Sequence, residues 1–182
     1  MEVVKPVKRN VLLNPGPATT SDAVKYAQVI PDICPRESQF VEVMDEVRRE
    51  LVHGVHADPD KYTAVLFTGS GTIIQDVLVN SLVPEGKKIC VVNNGAYSSR
   101  MVEIAGYYDI PCMNLEFPTT GLPDLKVVQE ALEKDPDIAV VATTHHDTGT
   151  GVKNPVREIG QNAHDNGCVC VADTISNNGL LP

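Results

Sequence analysis

Short apolar runs alternate with longer amphipathic segments along most of this chain. The apolar runs predict five β-strands, at Ala64–Phe67, Lys88–Val92, Pro111–Phe117, Ile138–Thr143 and Cys168–Ala172. Short runs without strict alternation are typical of strands that are covered on both faces, as in a parallel sheet. Strands that alternate with helices favour an α/β fold with a mostly parallel sheet flanked by helices.

The segments around these strands carry helix signals. They predict five helices, at Phe40–Val52, Ile73–Leu82, Tyr97–Tyr107, Leu125–Lys134 and from Asn154-Pro155 to Gly167. The Asn154-Pro155 pair predicts a helix cap followed by a proline at the first helical position. The proline-rich stretch 1–36 predicts an N-terminal arm with loops, and residues 37–182 then form the folded domain.

Composition and charge narrow the function classes. The 182 residues include 24 Asp and Glu against 15 Lys and Arg, so the formal net charge is −9. This acidic balance argues against non-specific binding to nucleic acid or to an anionic membrane. Every apolar run is far shorter than the roughly 20 residues of a membrane-spanning helix. Five irregularly spaced cysteines fit a reducing compartment, and we expect a cytoplasmic protein.

A glycine-rich motif follows the first predicted strand. In Phe67–Thr72, glycines allow a tight turn, while the hydroxyls of Ser70 and Thr72 and the free N–H groups of the next helix could cradle a phosphate. The motif is not a dinucleotide fingerprint, because Ile74 occupies the position of the third glycine. Taken alone, it is equally compatible with a structural strand-to-helix turn.

Polar residues follow other predicted strands, where ligands bind in open parallel sheets. Asp173 is either a turn residue or a ligand partner, for example for the protonated ring nitrogen of pyridoxal phosphate (PLP). Tyr97, in Asn93–Arg100, either packs in the core or stacks on a flat cofactor. The Thr143–Gly151 loop favours a polar ligand-binding loop over a metal site, and we predict no metal.

These motifs together resemble the fold-type I, class V PLP-dependent aminotransferases, and within that family the 2-aminoethylphosphonate–pyruvate transaminases. The motifs that carry the resemblance are Leu12–Thr20, Asp32–Glu37, Phe67–Thr72, Asn94–Tyr97, His145–Gly151 and Asp173–Ser176. Their order and spacing match over essentially the whole chain. The resemblance implies part of the large PLP-binding domain of that fold, within a homodimer.

The resemblance also implies residue roles around the cofactor. Ser70, Gly71 and Thr72 correspond to the loop that binds the cofactor phosphate. Tyr97 corresponds to the aromatic residue that stacks on the pyridine ring, and Ile175 to the apolar residue under the opposite face.

Two further cofactor contacts and the substrate entrance are implied in the same way. Thr148 corresponds to a hydroxyl residue near the ring oxygen, and Asp173 to the partner of the ring nitrogen. Asn14, Gly16 and Thr19 correspond to a segment that lines the substrate entrance.

The chain also departs from the family pattern. Family members are about twice as long, and their Schiff-base lysine follows the aspartate that corresponds to Asp173, whereas no lysine follows Lys153 here. We therefore expect a fragment or one half of a split protein, with no catalytic residue of its own and a C-terminal half supplied separately. Alone, it would bind PLP without a covalent link and would not turn over.

The implied reaction transfers the amino group of 2-aminoethylphosphonate to pyruvate and gives phosphonoacetaldehyde and L-alanine. The expected partners are a small-molecule amino donor and pyruvate, without nucleic acid or membrane. Two alternatives stay open from the sequence. One is another class V reaction, such as alanine–glyoxylate or serine–pyruvate transamination. The other is a truncated remnant without catalysis.

Overall fold

The computed structural model describes residues 10–14 and 16–179. Parts of the predicted arm and of the predicted domain therefore lie outside the described residues, including Pro15 of the Leu12–Thr20 motif. The chain divides into two compact units, residues 1–64 and residues 65–182. The predicted division after Arg36 stays a prediction.

The first unit contains two helices among its described residues, α1 (Asp22–Tyr26) and α2 (Ser38–Gly54). Helix α1 begins after Ser21, whose hydroxyl accepts a hydrogen bond of 3.4 Å from the N–H of Val24 and so caps the helix. Helix α2 confirms the helix that the apolar periodicity predicts, with two more residues at each end.

The second unit is a parallel sheet with helices, which confirms the predicted fold class. Its strands are β1 (Lys88–Asn93), β2 (Cys112–Glu116), β3 (Ile138–Thr144) and β4 (Val169–Asp173), in the order β2-β1-β3-β4. Every neighbouring pair is parallel. The helices are α3 (Gly71–Leu82), α4 (Ala96–Tyr107), α5 (Leu125–Lys134) and α6 (Val156–Asp165). These four strands and four helices lie within two residues of their predicted bounds.

The core lies on both faces of the two central strands. Alternate residues of β1 and β3 point to opposite faces, so each strand contributes to two apolar layers. One layer contains Cys90, Val92, Val128, Leu132, Val141, Ile159 and Ala163. The other contains Val79, Ile89, Val91, Met101, Ala105, Val140 and Ala142. Helices α5 and α6 thus cover one face, and α3 and α4 cover the other.

Two local predictions are wrong. Residues 64–67 form no strand, because an extended run needs a hydrogen-bonded neighbour and none of the described strands pairs with it; Val65 is 68% exposed. Asn154 does not cap α6, whose N-cap is Pro155. The Asn154 amide is buried instead, where it exchanges hydrogen bonds with the amide of Asn94.

No helix in the described part of the chain is long and apolar enough to cross a membrane.

Candidate functional site

The carboxyl ends of the parallel strands lie at one edge of the sheet. Thr144 at the end of β3 is the register partner of Asp173 at the end of β4. The N–H of His145 donates to the carbonyl oxygen of Asp173 over 2.8 Å and extends this pairing past the strand. The polar motifs that follow β1, β3 and β4 therefore share the edge at which ligands bind in such sheets.

A cavity of about 300 Å³ opens at this edge, between α3 and the end of β4. Gly71 and Gln75 of α3 line it, together with Asp173 and with Ile175 of the following turn. Most of the remaining wall is apolar. The structure thus brings together three of the seven predicted cofactor residues, Gly71, Asp173 and Ile175. The other four do not line this cavity: Ser70, Thr72, Tyr97 and Thr148.

Two donors hold the carboxylate of Asp173. The side-chain Nε2 of Gln75 donates to Oδ2 over 2.7 Å, and the N–H of Ile175 donates to Oδ1 over 3.1 Å. A carboxylate has about four lone-pair sites, so it can still accept a hydrogen bond from a ligand in the cavity. Asp173 therefore bonds both its own turn and Gln75, and its role as the partner of a ring nitrogen stays a prediction.

The predicted phosphate loop forms the start of α3. Ser70 is the N-cap residue, but its hydroxyl makes no capping hydrogen bond. The first N–H groups of a helix have no intrahelical partner, and the helix dipole adds partial positive charge there. A Cβ atom at Gly71 would overlap the Cδ1 atom of Ile175, so with any other residue at this position the exposed Ile175 side chain would have to shift. This arrangement can accept an anion.

Tyr97 lies in the first turn of α4 and contacts Arg100. The Arg100 guanidinium carbon is 5.2 Å from the centre of the Tyr97 ring, within cation–π range. Its Nη1 also donates to the Thr72 hydroxyl over 3.0 Å. Arg100 thereby connects the first turn of α3 with the residue that is predicted to stack on a cofactor.

The loop after β3 is organised by the buried carboxylate of Asp147. Its Oδ1 accepts from the N–H of Gly149 over 3.0 Å, and from the N–H and hydroxyl of Thr150 over 2.9 Å and 3.1 Å. Its Oδ2 lies against Gly95, where a Cβ atom would overlap it. Thr148 projects from this loop, half-buried, with no hydrogen bond to any described residue.

The histidine at the start of this loop is part of the structural core. His145 is buried, and its Nδ1 lies 2.6 Å from the Nδ2 of Asn177. Burial lowers the pKa of His145 below its ordinary value of 6.5, and the neighbouring Lys153 and His146 lower it further. Among the described residues, no group of three or more His, Cys, Asp or Glu side chains is placed to hold a metal ion.

The predicted entrance residues belong to the first unit. The Thr19 hydroxyl accepts from the N–H of Leu12 over 2.8 Å and so folds the loop back on itself. Asn14 and Gly16 are exposed. Their role at a substrate entrance stays a prediction.

Sequence reasoning missed Gln75 and Arg100. Gln75 is only 4% exposed and shares the inner face of α3 with Val79, four residues later. A polar residue on an apolar helix face is a signal that could have identified it. Arg100 lies within the Asn93–Arg100 motif. Its contact with Thr72 joins two motifs that are distant in the sequence, so no local sequence pattern indicates it.

Comparison with known proteins identifies the family to which this sequence is similar. The model of the aminotransferase class-V family matches residues 22–181. The 2-aminoethylphosphonate–pyruvate transaminase of Syntrophobacter fumaroxidans is 38% identical over 172 residues, which are 94% of this chain and 46% of that protein. The transaminase of the same name from Vibrio vulnificus is 36% identical over 94% of this chain and 47% of its own length.

A solved structure supports the fold. The alanine–glyoxylate aminotransferase of a Nostoc species matches with a TM-score of 0.85 and 24% identity, over 99% of this chain and 48% of that chain. The present chain spans about half the length of the curated relatives that it matches. The family model covers most of the sequence, and the chain therefore belongs to the class V aminotransferases, which depend on pyridoxal phosphate.

Proposed function

We propose that this chain supplies the cofactor-binding part of a transaminase that moves the amino group of 2-aminoethylphosphonate to pyruvate. The observation that carries the proposal is the cavity that Asp173 and the start of α3 share. One side of the cavity offers the oriented carboxylate of Asp173, which suits the protonated ring nitrogen of PLP. The other side offers a helix N-terminus without a side-chain cap, which suits the phosphate of PLP.

The residues around the cavity fit PLP. The phosphate would lie at the N-terminus of α3, held by backbone and hydroxyl groups of Ser70, Gly71 and Thr72. The absence of a capping bond from the Ser70 side chain supports this, because it leaves the N–H groups of Gly71 and Thr72 open to a ligand, whereas the N–H of Ile73 donates to the Ser70 carbonyl over 3.0 Å. The ring nitrogen would donate to Asp173, whose carboxylate Gln75 already orients.

We assign the faces and the oxygen side of the ring by the same proposal. Ile175 lines the cavity and is 63% exposed, so its side chain is available to cover one face of the ring. Tyr97, at the start of α4, would stack on the other face. Thr148 would approach the ring oxygen, and its hydroxyl makes no hydrogen bond with the described residues.

Bound PLP supplies an electron sink for amino transfer. The residues of this chain would hold and orient the cofactor without a covalent bond, because none of the described residues that line the cavity is a lysine. We therefore expect a polypeptide of these 182 residues to bind PLP reversibly and to show no turnover alone.

The substrate proposal rests on the relatives. Transaminases that are named for 2-aminoethylphosphonate and pyruvate are 34–38% identical to this chain over 94% of its length. The products would be phosphonoacetaldehyde and L-alanine. We further propose a cytoplasmic homodimer, in line with five free thiols and an acidic composition, and association with a C-terminal half where that half is a separate polypeptide.

A binding experiment tests the cofactor assignment. The 182-residue polypeptide is titrated with PLP, and binding is followed by absorbance and by calorimetry. We expect saturable binding that Asp173→Ala weakens, while Asp165→Ala at the end of α6 leaves it unchanged. Equal affinity of both variants and the parent, or no binding at all, contradicts the proposal.

A chimera tests the substrate assignment. Residues 1–182 are joined to the C-terminal part of the S. fumaroxidans transaminase, and the chimera is assayed with 2-aminoethylphosphonate, alanine and serine as donors. We expect phosphonoacetaldehyde with pyruvate as acceptor, and loss of that activity with Asp173→Ala. A chimera that prefers serine or alanine as donor would favour another class V reaction.

A further inference from the structure

Arg100 is a half-buried cation that has no acidic partner in the described part of the chain. Among the described residues no carboxylate lies within ion-pair distance of its guanidinium, although the chain carries an excess of acidic groups. Its contacts are the Thr72 hydroxyl at 3.0 Å and the Tyr97 ring at 5.2 Å. A partly desolvated charge is costly unless something compensates it, so the position calls for an anion.

The position of Arg100 identifies where that anion would lie. Thr72 is in the first turn of α3, directly after Gly71, and its hydroxyl accepts from Arg100. A guanidinium carries five N–H donors, and the bond to Thr72 uses one of them. The remaining donors are therefore available beside the turn whose own N–H groups lack a capping side chain.

We propose that Arg100 contacts the cofactor phosphate and completes its binding site with a full positive charge. This inference rests on the proposed function. A helix N-terminus contributes only about half an elementary charge, whereas the phosphate carries up to two negative charges. Arg100 adds the charge that backbone N–H groups cannot supply. Its planar fork also suits phosphate geometry better than an ammonium does.

The contact with Tyr97 gives Arg100 a second effect. A guanidinium over the tyrosine ring restrains both side chains. The residue that stacks on the cofactor ring and the residue that binds the phosphate would therefore be positioned together. Loss of Arg100 should act mainly on ligands that carry the phosphate, because the charge is directed at that group.

The test compares PLP with pyridoxal, which has the same ring but no phosphate. Arg100→Gln, Arg100→Lys and the parent chain are titrated with both compounds, and Arg157→Gln, which removes an exposed arginine from α6, is the matched control. We expect Arg100→Gln to weaken PLP binding about ten- to a hundredfold and to change pyridoxal binding less than about twofold. Arg100→Lys should lie in between, and Arg157→Gln should match the parent.

Several outcomes would overturn the inference. If Arg100→Gln binds PLP with the affinity of the parent chain, Arg100 does not contact the phosphate. Equal weakening of PLP and pyridoxal assigns Arg100 to ring positioning through Tyr97 instead. Because 2-aminoethylphosphonate also carries a dianion, it is titrated in parallel. If Arg100→Gln loses this compound while PLP binding is retained, the charge serves the substrate and not the cofactor.

A further measurement separates this inference from the proposed function. Inorganic phosphate is added to the parent chain and to Arg100→Gln, and the thermal unfolding midpoint is recorded. If the parent binds no PLP but is stabilised by phosphate, and the variant is not, the proposed cofactor fails while the anion contact stands. If phosphate stabilises both chains equally, or stabilises neither, Arg100 does not bind this anion. Circular dichroism confirms that each variant is folded.

Discussion

Gln75 in α3 donates a hydrogen bond of 2.7 Å to the carboxylate of Asp173 at the end of β4, 98 residues later in the chain. The same Nε2 lies 3.4 Å from the carbonyl oxygen of Tyr97. Its Oε1 is buried and has no partner among the described residues. Gln75 thus connects three elements around the candidate site, and it orients the group that is proposed to bind the ring nitrogen.

Replacing Gln75 by leucine should weaken the binding of PLP while leaving the stability of the fold almost unchanged. Gln75→Leu removes a donor to Asp173, so we expect PLP affinity to fall about three- to tenfold. The substitution also removes an unsatisfied buried oxygen, and the free energy of unfolding should change by less than about 1 kcal/mol. Calorimetric titration and urea unfolding measure the two effects. Asn80→Leu removes an exposed amide from the same helix and should change neither quantity.

Two glycines at opposite ends of α4 should respond differently to alanine. A Cβ atom at Gly95 would overlap the buried Asp147 carboxylate, so Gly95→Ala should destabilise the second unit by about 1–3 kcal/mol. Nothing lies within 4 Å of a Cβ atom at Gly106, and Gly106→Ala should stabilise the helix by about 0.5–1 kcal/mol. Urea unfolding distinguishes them, and a Gly95→Ala variant of parental stability would refute the steric argument.

The reciprocal amide pair of Asn94 and Asn154 should be a major stabilising contact. The two side chains exchange hydrogen bonds of 2.7 and 2.9 Å, and Asn154 also donates to the carbonyl of Thr144 over 2.7 Å. Asn154→Leu leaves buried polar groups unpaired and should cost about 2–3 kcal/mol. In a double-mutant cycle with Asn94→Leu, the combined cost should be smaller than the sum of the single costs. Strict additivity would show that the pair is not coupled.

His145 should make stability depend on pH on the acid side of neutrality. Burial is the main cause that lowers the pKa of His145 in the folded state below 6.5. Below pH 6.5 the unfolded chain therefore binds more protons than the folded chain. The contribution of neutral His145 to the free energy of unfolding is therefore fully present above pH 6.5, and it is lost as the pH falls through the lower pKa of the folded state.

Urea unfolding at several pH values between about 7.5 and 5 measures this effect. His145→Gln should flatten the decline of the unfolding free energy below pH 6.5. His164→Gln removes an exposed histidine from α6 and should retain the parental profile. An identical decline in His145→Gln and the parent would assign the pH dependence to other groups.

The structural elements that sequence reasoning predicted correctly are those with local signals. The runs that form β1 and β3 are mostly apolar because helices cover both faces of the sheet, and Asp173 stands at the end of β4, one residue beyond the predicted strand. Residues 64–67 have the same local signal as a strand but find no hydrogen-bonded neighbour among the described residues. Pairing is a property of the whole fold, and a local pattern cannot supply it.

The side chains that sequence reasoning missed act between distant segments. Asn154 has the residue type of a helix cap, yet its amide serves the buried pair with Asn94 because the loops after β1 and β3 meet there. Gln75 and Arg100 likewise matter through Asp173 and Thr72, which lie on other elements. Such contacts depend on tertiary placement, so residue type and spacing alone do not reveal them.

The all-parallel strand order also constrains how this chain can be prepared. Each pair of neighbouring parallel strands needs a helical crossover, so no pair of strands can form through a tight turn. The sheet therefore forms only after long stretches of chain have closed into loops. Until then the apolar segments of β1 and β3 are open to other chains in solution. Refolding from urea should therefore be slow and should give its best yield at low protein concentration.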